Sequence, residues 1–365
     1  MKGNRKRVLS LALTLGVIVP CARADDSLRV YYIGNSLTRN VPLERLQMLF
    51  ESRGITYEYG MQLGGGHRLE QHLSKRNHGN KPGEGEYNIV QTFGEYDRAF
   101  KNFAFDAAVL QPYMSELDKS VKITPRWPHF SCGDLQAASS FIDYARGQTP
   151  EGSGRWDYDN PNRENKACEQ FYIFATWPRA EDILAQSDER TYAAYYSRTY
   201  SGGVQPCADY FQQLVERLNE KHADLATPVR LIPAGQVLAA IDVKIRAGKL
   251  PRIKEFYERN QAYFIKSRRN NKQPSPFDPD KFDPSAGVLN FYADGVHMND
   301  QPHNGDDSGT IGSYVAALTI FATLTGDSPI GLTVAPYEQF DAKMDMDLVR
   351  ALQETVWKVV AAHQK

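Results

Sequence analysis

The chain has 365 residues and is close to neutral, with 43 Lys and Arg against 44 Asp and Glu. An N-terminal leader of 24 residues would carry off five basic side chains (Lys2, Arg5, Lys6, Arg7, Arg23) and no acidic one, leaving 38 basic against 44 acidic residues over 341 positions. That balance argues against a nucleic-acid footprint and against binding to anionic membranes, and the length suits one large α/β domain with insertions or at most two domains.

The leader is expected because Lys2, Arg5, Lys6 and Arg7 precede an apolar core at 8–19, too short to span a bilayer, and Ala22-Arg23-Ala24 forms a small-x-small cleavage signal. Export with cleavage after Ala24 follows. A lipoprotein attached through Cys21 ranks second, since Pro20 stands where lipid attachment wants a small residue. No later run is long and apolar enough to cross a membrane.

In chain order, the β-branched and aromatic run at 28–33 predicts a strand that breaks at Gly34-Asn35 onto Ser36. A hydroxyl at the carboxyl end of a first strand lies where open α/β sheets bind ligands. The plainer interpretation of Ser36 alone is a helix cap. Leu43, Leu46, Leu49 and Phe50 predict a helix over 41–53, and 56–61 a second strand. That strand runs into Leu63-Gly64-Gly65-Gly66-His67-Arg68-Leu69-Glu70, where glycines permit close backbone approach and a helix starts.

Residues 74–95 predict a surface insertion, 106–111 a third strand ending on Gln111, 134–146 a helix and 147–166 a polar insertion. A fourth strand at 170–175 leads to Thr176-Trp177-Pro178-Arg179. Helices are expected over 191–200 and 206–222, a fifth strand over 228–233 ending at Ala234-Gly235-Gln236, and helices again over 237–247 and 253–266. An exposed Pro-rich loop at 268–284 precedes two closing helices, one after Gly309 to 324 and one over about 340–362. This alternation predicts one domain over 25–365, a three-layer α/β/α sandwich around a mainly parallel five-stranded sheet.

Cys132, Cys168 and Cys207 remain after cleavage. One disulfide with one thiol left over is expected in an exported protein; spacing does not choose the pair, with Cys168–Cys207 as suitable as any. No Cys-x-x-Cys pair signals zinc, and His67 and His72 do not share a helix face well enough for a metal pair. His303, near His297 on a polar loop, suits a solvated side chain. No metal and no cofactor are expected.

The chemistry concentrates in Asn290-Phe291-Tyr292-Ala293-Asp294-Gly295-Val296-His297-Met298-Asn299. An Asp three residues before a His lets the carboxylate orient the imidazole, fix its tautomer and stabilise the imidazolium. Alone this spacing is usually a surface turn. With Ser36 at a strand end it becomes a candidate hydrolytic triad in the order Ser, Asp, His. No Gly-x-Ser-x-Gly elbow, Gly-x-x-x-x-Gly-Lys loop or His-Glu-x-x-His site competes with it.

Here the chain resembles the SGNH, or GDSL-like, hydrolases, in the branch whose first block is Gly-Asn-Ser-(Phe/Leu)-Thr. Gly34-Asn35-Ser36-Leu37-Thr38 matches that block, Gly65-Gly66-His67-Arg68-Leu69 is similar to the second, and Asp294-Gly295-Val296-His297 matches the last. Residues 312–332 are similar to the closing helix and tail. The resemblance implies a flavodoxin-like fold, Ser36 as nucleophile, His297 as base, Asp294 as its orienter, and an oxyanion hole from the Ser36 and Gly66 N–H groups, with Gly65 the rival of Gly66. Better-known members supply a third donor from Gly-x-Asn-Asp. This chain has Val109-Leu110-Gln111-Pro112-Tyr113 there, and Gln111 is expected in that role or, alternatively, as an amide tying down a neighbouring loop.

The implied activity is ester hydrolysis on a small-molecule or polysaccharide substrate. The branch is similar to enzymes acting on carbohydrate esters, which favours O-deacetylation of a glycan. A lipase or thioesterase of the same fold, or a glycan-binding protein without activity, are the alternatives. Tyr113, Trp177 and Arg179 follow the third and fourth strands and are the expected substrate contacts, Trp177 having a core lid over the sheet as its other role.

Overall fold

The computed structural model describes residues 27–73, 88–89, 92–119, 122–123, 130–148, 168–186, 189–204, 206–260, 282–298, 310–337 and 339–364. The expected leader with Cys21, most of the insertions at 74–95, 147–166 and 268–284, and Asn299 and His303 lie outside the described residues.

Among the described residues, eight strands occur in chain order: β1 Ser27–Gly34, β2 Thr56–Leu63, β3 Asn88–Ile89, β4 Ala107–Leu110, β5 Lys122–Ile123, β6 Phe130–Ser131, β7 Gln170–Phe174 and β8 Arg230–Ile232. The central sheet has the order β3-β2-β1-β4-β7-β8, and β5 pairs with β6 apart from it. Strands β2, β1, β4, β7 and β8 are parallel, while β3 joins β2 antiparallel at one edge. The expected five-stranded parallel sheet is present, with a two-residue edge strand added inside a segment taken for plain loop. Two residues are too short to show a period.

Counted along the chain, the five parallel strands lie in the order 2-1-3-4-5, the flavodoxin-like arrangement, whose ligand crevice opens beside the first strand. Strand β4 is buried at every position and β1 at all but Ser27 and Arg29, as parallel strands covered on both faces require. Helices Leu43–Glu51, Ala234–Arg246, Ile311–Thr325 and Met346–His363 pack together as one outer layer. Helices Leu69–Leu73, Tyr96–Asn102, Asp134–Ala145 and Ala208–Lys221 form the other. Ile311–Thr325 is buried all round from Ile311 to Leu324, the mark of a helix inside a filled core rather than on its surface.

Of the boundaries that differ from expectation, those of two helices have clear local reasons. The helix after β8 starts at Ala234, three residues early, because Gly235 continues it beneath the Tyr196 ring; a Cβ there would come within 2.1 Å of that ring. The last helix starts at Met346 because Asp341 to Asp345 form a turn, in which Asp345 accepts from the Asp341 N–H and pairs with Arg259. The disulfide expectation is corrected: Cys132, Cys168 and Cys207 are all buried free thiols. They lie ahead of three different elements, and burial pushes each thiol up, so they behave as small apolar side chains.

Buried Asp134, first in its helix, accepts a hydrogen bond from Tyr210. Burial pushes its carboxyl up to about 7, against the Tyr210 hydrogen bond and with the help of Glu70. A folded-state value above the unfolded one means that the stability from protonated Asp134 is present at low pH and is lost as pH rises through about 7. Asp134→Asn, neutral throughout, should therefore gain on wild type by about 1.4 kcal/mol per pH unit at most between the ordinary carboxylate range and neutrality. Urea unfolding of both proteins from pH 4 to 8 checks this, and a difference independent of pH would contradict it.

Candidate active site

Strand β1 delivers Gly34 at the carboxyl edge of the sheet, level with Leu63 of β2, while Leu110 ends β4 beside Ile33. The chain then turns at once into a short helix, Ser36–Arg39, capped by Asn35, whose Oδ1 accepts from the Leu37 N–H at 2.9 Å. Asn35 is thus the cap, and Ser36 is the first residue inside, half-buried. Gly34 leaves no room for a side chain: a Cβ would meet Thr38 Oγ1 at 2.5 Å and Gln111 at 2.8 Å.

Ser36 Oγ lies 2.8 Å from His297 Nε2, and His297 Nδ1 lies 2.7 Å from Asp294 Oδ2. The second oxygen, Asp294 Oδ1, accepts from the Val296 and His297 backbone N–H groups, each at 2.6 Å. Burial would raise the Asp294 carboxyl, but the His297 ring and these N–H groups outweigh it and hold the group below its ordinary value. An Asp294 held ionised at neutral pH keeps the Nδ1 proton on its side and leaves Nε2 to accept from Ser36.

The loop carrying Asp294 and His297 is tied to the sheet through the segment after β7. Trp177 Nε1 donates to Val296 O at 2.8 Å, Ala180 N donates to Gly295 O at 2.8 Å, and the Tyr292 hydroxyl donates to Pro178 O. Trp177 is 1% exposed. The expectation that it touches substrate is therefore corrected: it is a core side chain that holds the Asp294 loop in place.

The second glycine segment is a turn closed by His67 N donating to Gly64 O, with Gly66 at φ +66°, a conformation that favours glycine. Gly64 N donates to Gly34 O, and Asn35 Nδ2 donates to His67 O at 3.0 Å, so the turn is bound directly to the segment that carries Ser36. Among the described residues, no chain acceptor takes the N–H of Ser36, Gly65 or Gly66. Gly65 is exposed and Gly66 half-buried, which leaves both as donors to a bound group.

Gln111 is placed differently from a third donor. Its Oε1 accepts from Asn35 N at 2.9 Å and Thr38 Oγ1 at 3.1 Å, and its Nε2 donates to Pro112 O at 2.9 Å. Fully buried, it turns its oxygen toward the segment that carries Ser36 and braces it. The loop-tying alternative is the one the geometry favours.

Tyr113 and Arg179 follow β4 and β7 at the same edge, both part-exposed. Burial raises the Tyr113 phenol while the Arg179 guanidinium lowers it, and the charges of Asp182 and Asp294 reach it as well. Next in the chain, Met114 holds φ +49°, a conformation that strains a non-glycine residue and recurs where a loop is held for function. Arg179 is committed to neighbours, paired with Glu181 at 2.6 Å and through Nε and Nη2 with Asp182.

A second Ser-His-Asp grouping shows why distance alone does not define the site. Ser139 Oγ lies 2.9 Å from His222 Nε2, and His222 Nδ1 lies 3.7 Å from Asp143 Oδ1. Ser139 is 0% exposed in the middle of a helix, out of a substrate's reach. Among the described residues, no group of three or more His, Cys, Asp and Glu could hold a metal ion, and no helix is long and apolar enough to cross a membrane.

A flavodoxin-like three-layer fold with a Ser-His-Asp array at the carboxyl edge of its first strand is what defines this protein. No family model and no curated protein matches the chain. It is similar to a DUF4886 family protein from Bacteroides uniformis, known from a crystal structure, over 93% of this chain and 96% of that one, at 17% identity and a TM-score of 0.43.

Proposed function

We propose that the chain is an exported serine esterase working through an acyl-enzyme, with the O-acetyl ester of a carbohydrate as substrate. The observation that carries this reading is the unbroken array Ser36 Oγ, His297 Nε2, His297 Nδ1, Asp294 Oδ2, with links of 2.8 and 2.7 Å. Its resemblance to SGNH hydrolases, in three sequence blocks that meet in space, supports the same reading.

His297 Nε2 takes the Ser36 proton as Oγ attacks the ester carbonyl carbon. The oxyanion falls to the Ser36 N–H and a glycine N–H of the Gly64 turn, each well-placed donor contributing roughly 3 kcal/mol. Collapse breaks the ester C–O bond, and His297 returns the proton to the leaving alcohol. A water then gives its proton to His297 and attacks the acyl carbon, freeing the acid and restoring Ser36.

A chain-length series tests the substrate class. With p-nitrophenyl acetate, butyrate and octanoate, kcat/KM is expected to be highest for acetate, and acetylated xylan to release acetate. A maximum at octanoate would move the chain to the lipase-type alternative. Binding of the glycan with no ester turned over would move it to the non-catalytic one.

A further inference from the structure

We propose that Asn40 is a positioning residue that sets the distance between Ser36 and His297 by joining the nucleophile helix to the base loop. The proposal rests on the esterase reading of the Ser36 site.

Asn40 caps the carboxyl end of Ser36–Arg39 and is 2% exposed. Its backbone N–H donates to Ser36 O at 2.9 Å, and its side-chain Nδ2 donates to the same oxygen at 3.2 Å. The other end of the amide, Oδ1, accepts from Met298 N at 2.7 Å. Met298 follows His297 directly, so one planar group links the peptide of the nucleophile to the peptide after the base, across 258 positions of sequence.

The far side of that link is itself fixed. Met298 O accepts from Thr310 Oγ1 at 2.5 Å, and the buried Met298 side chain sits against Gly312, where a Cβ would meet it at 2.8 Å. The base loop therefore rests on the helix Ile311–Thr325, and Asn40 passes that position on to Ser36. The amide supplies a donor for the Ser36 carbonyl and an acceptor for the Met298 N–H at once. An Asp would keep the acceptor for Met298 and set a carboxylate against the Ser36 carbonyl.

The test compares wild type, Asn40→Ala and Asn40→Asp by steady-state kinetics on p-nitrophenyl acetate, by thermal unfolding, and by the NMR resonance of the His297 Nδ1 proton. Asn40→Ala is expected to lose about 10²-fold in kcat, the scale of a misplacement near 1 Å, with KM within about twofold of wild type. Asn40→Asp should fall between the two and keeps the chain testable if the alanine variant fails to fold. In both variants the His297 resonance should move. Wild-type kcat together with an unmoved resonance in a folded variant would overturn the proposal. If wild type turned over no ester, the esterase reading would fall by itself, and the resonance would still decide for or against Asn40.

Discussion

Ser36→Ala is expected to lower kcat on aryl acetates by about 10⁶-fold, the scale seen when a triad nucleophile is removed. The loss is large because, among the described residues, the candidate hydroxyls cannot take over: Thr38 Oγ1 is engaged by Gln111, and Ser139 is buried elsewhere in the fold. The fold itself should not suffer. Ser36 is half-buried, and the cap of its helix belongs to Asn35. An unfolding transition within about 0.5 kcal/mol of wild type is therefore expected beside the lost activity.

Asp294→Asn should cost about 10⁴-fold in kcat while leaving KM nearly unchanged. An Asn at this position can still accept from the Val296 and His297 N–H groups through its oxygen. Its NH2 then faces His297 Nδ1, so the ring must accept there and carry its proton on Nε2, pointing at Ser36 Oγ. That tautomer cannot remove the serine proton.

The pH dependence of stability separates this variant from one that merely unfolds. The Asp294 carboxyl is held below its ordinary value, so the stability it contributes is present above the ordinary carboxylate range and is lost as pH falls through its lowered folded-state value. Wild type and Asp294→Asn should thus differ in stability at neutral pH and converge in acid. Chemical denaturation at pH 3 and pH 7 measures the convergence, and a constant gap would contradict the role given to the carboxylate.

The inner parallel strands β4 and β7 were legible because they are covered on both faces and so appear in sequence as uninterrupted apolar runs, at 107–110 and 171–174. That Ser36, Asp294 and His297 meet was legible from residue type, spacing and the strand end before Ser36. What escaped depends on neighbours brought in by folding. Trp177 faces inward because its indole N–H finds Val296 O, a partner 119 positions away. Gln111 turns its oxygen to Asn35 because β1 and β4 end side by side. Neither orientation has a local signature.

Asn40 drew no expectation from the sequence, which carries no sign of its bond to Met298. The signal that could have found it is the polar amide four residues past a helix-starting serine, where a C-terminal carbonyl needs a donor. The three cysteines misled for a related reason. An exported chain makes pairing expected, but a thiol packed as a small apolar side chain gains its stability from burial without a partner.

The most direct measurement of the central claim is intact-protein mass after incubation with a fluorophosphonate, followed by peptide mapping. One phosphonyl group per chain, located on Ser36 and absent from both Ser36→Ala and His297→Ala, is the result predicted. A wild-type protein that stays unlabelled at the concentrations that label serine esterases, or a label that persists in Ser36→Ala, would contradict it.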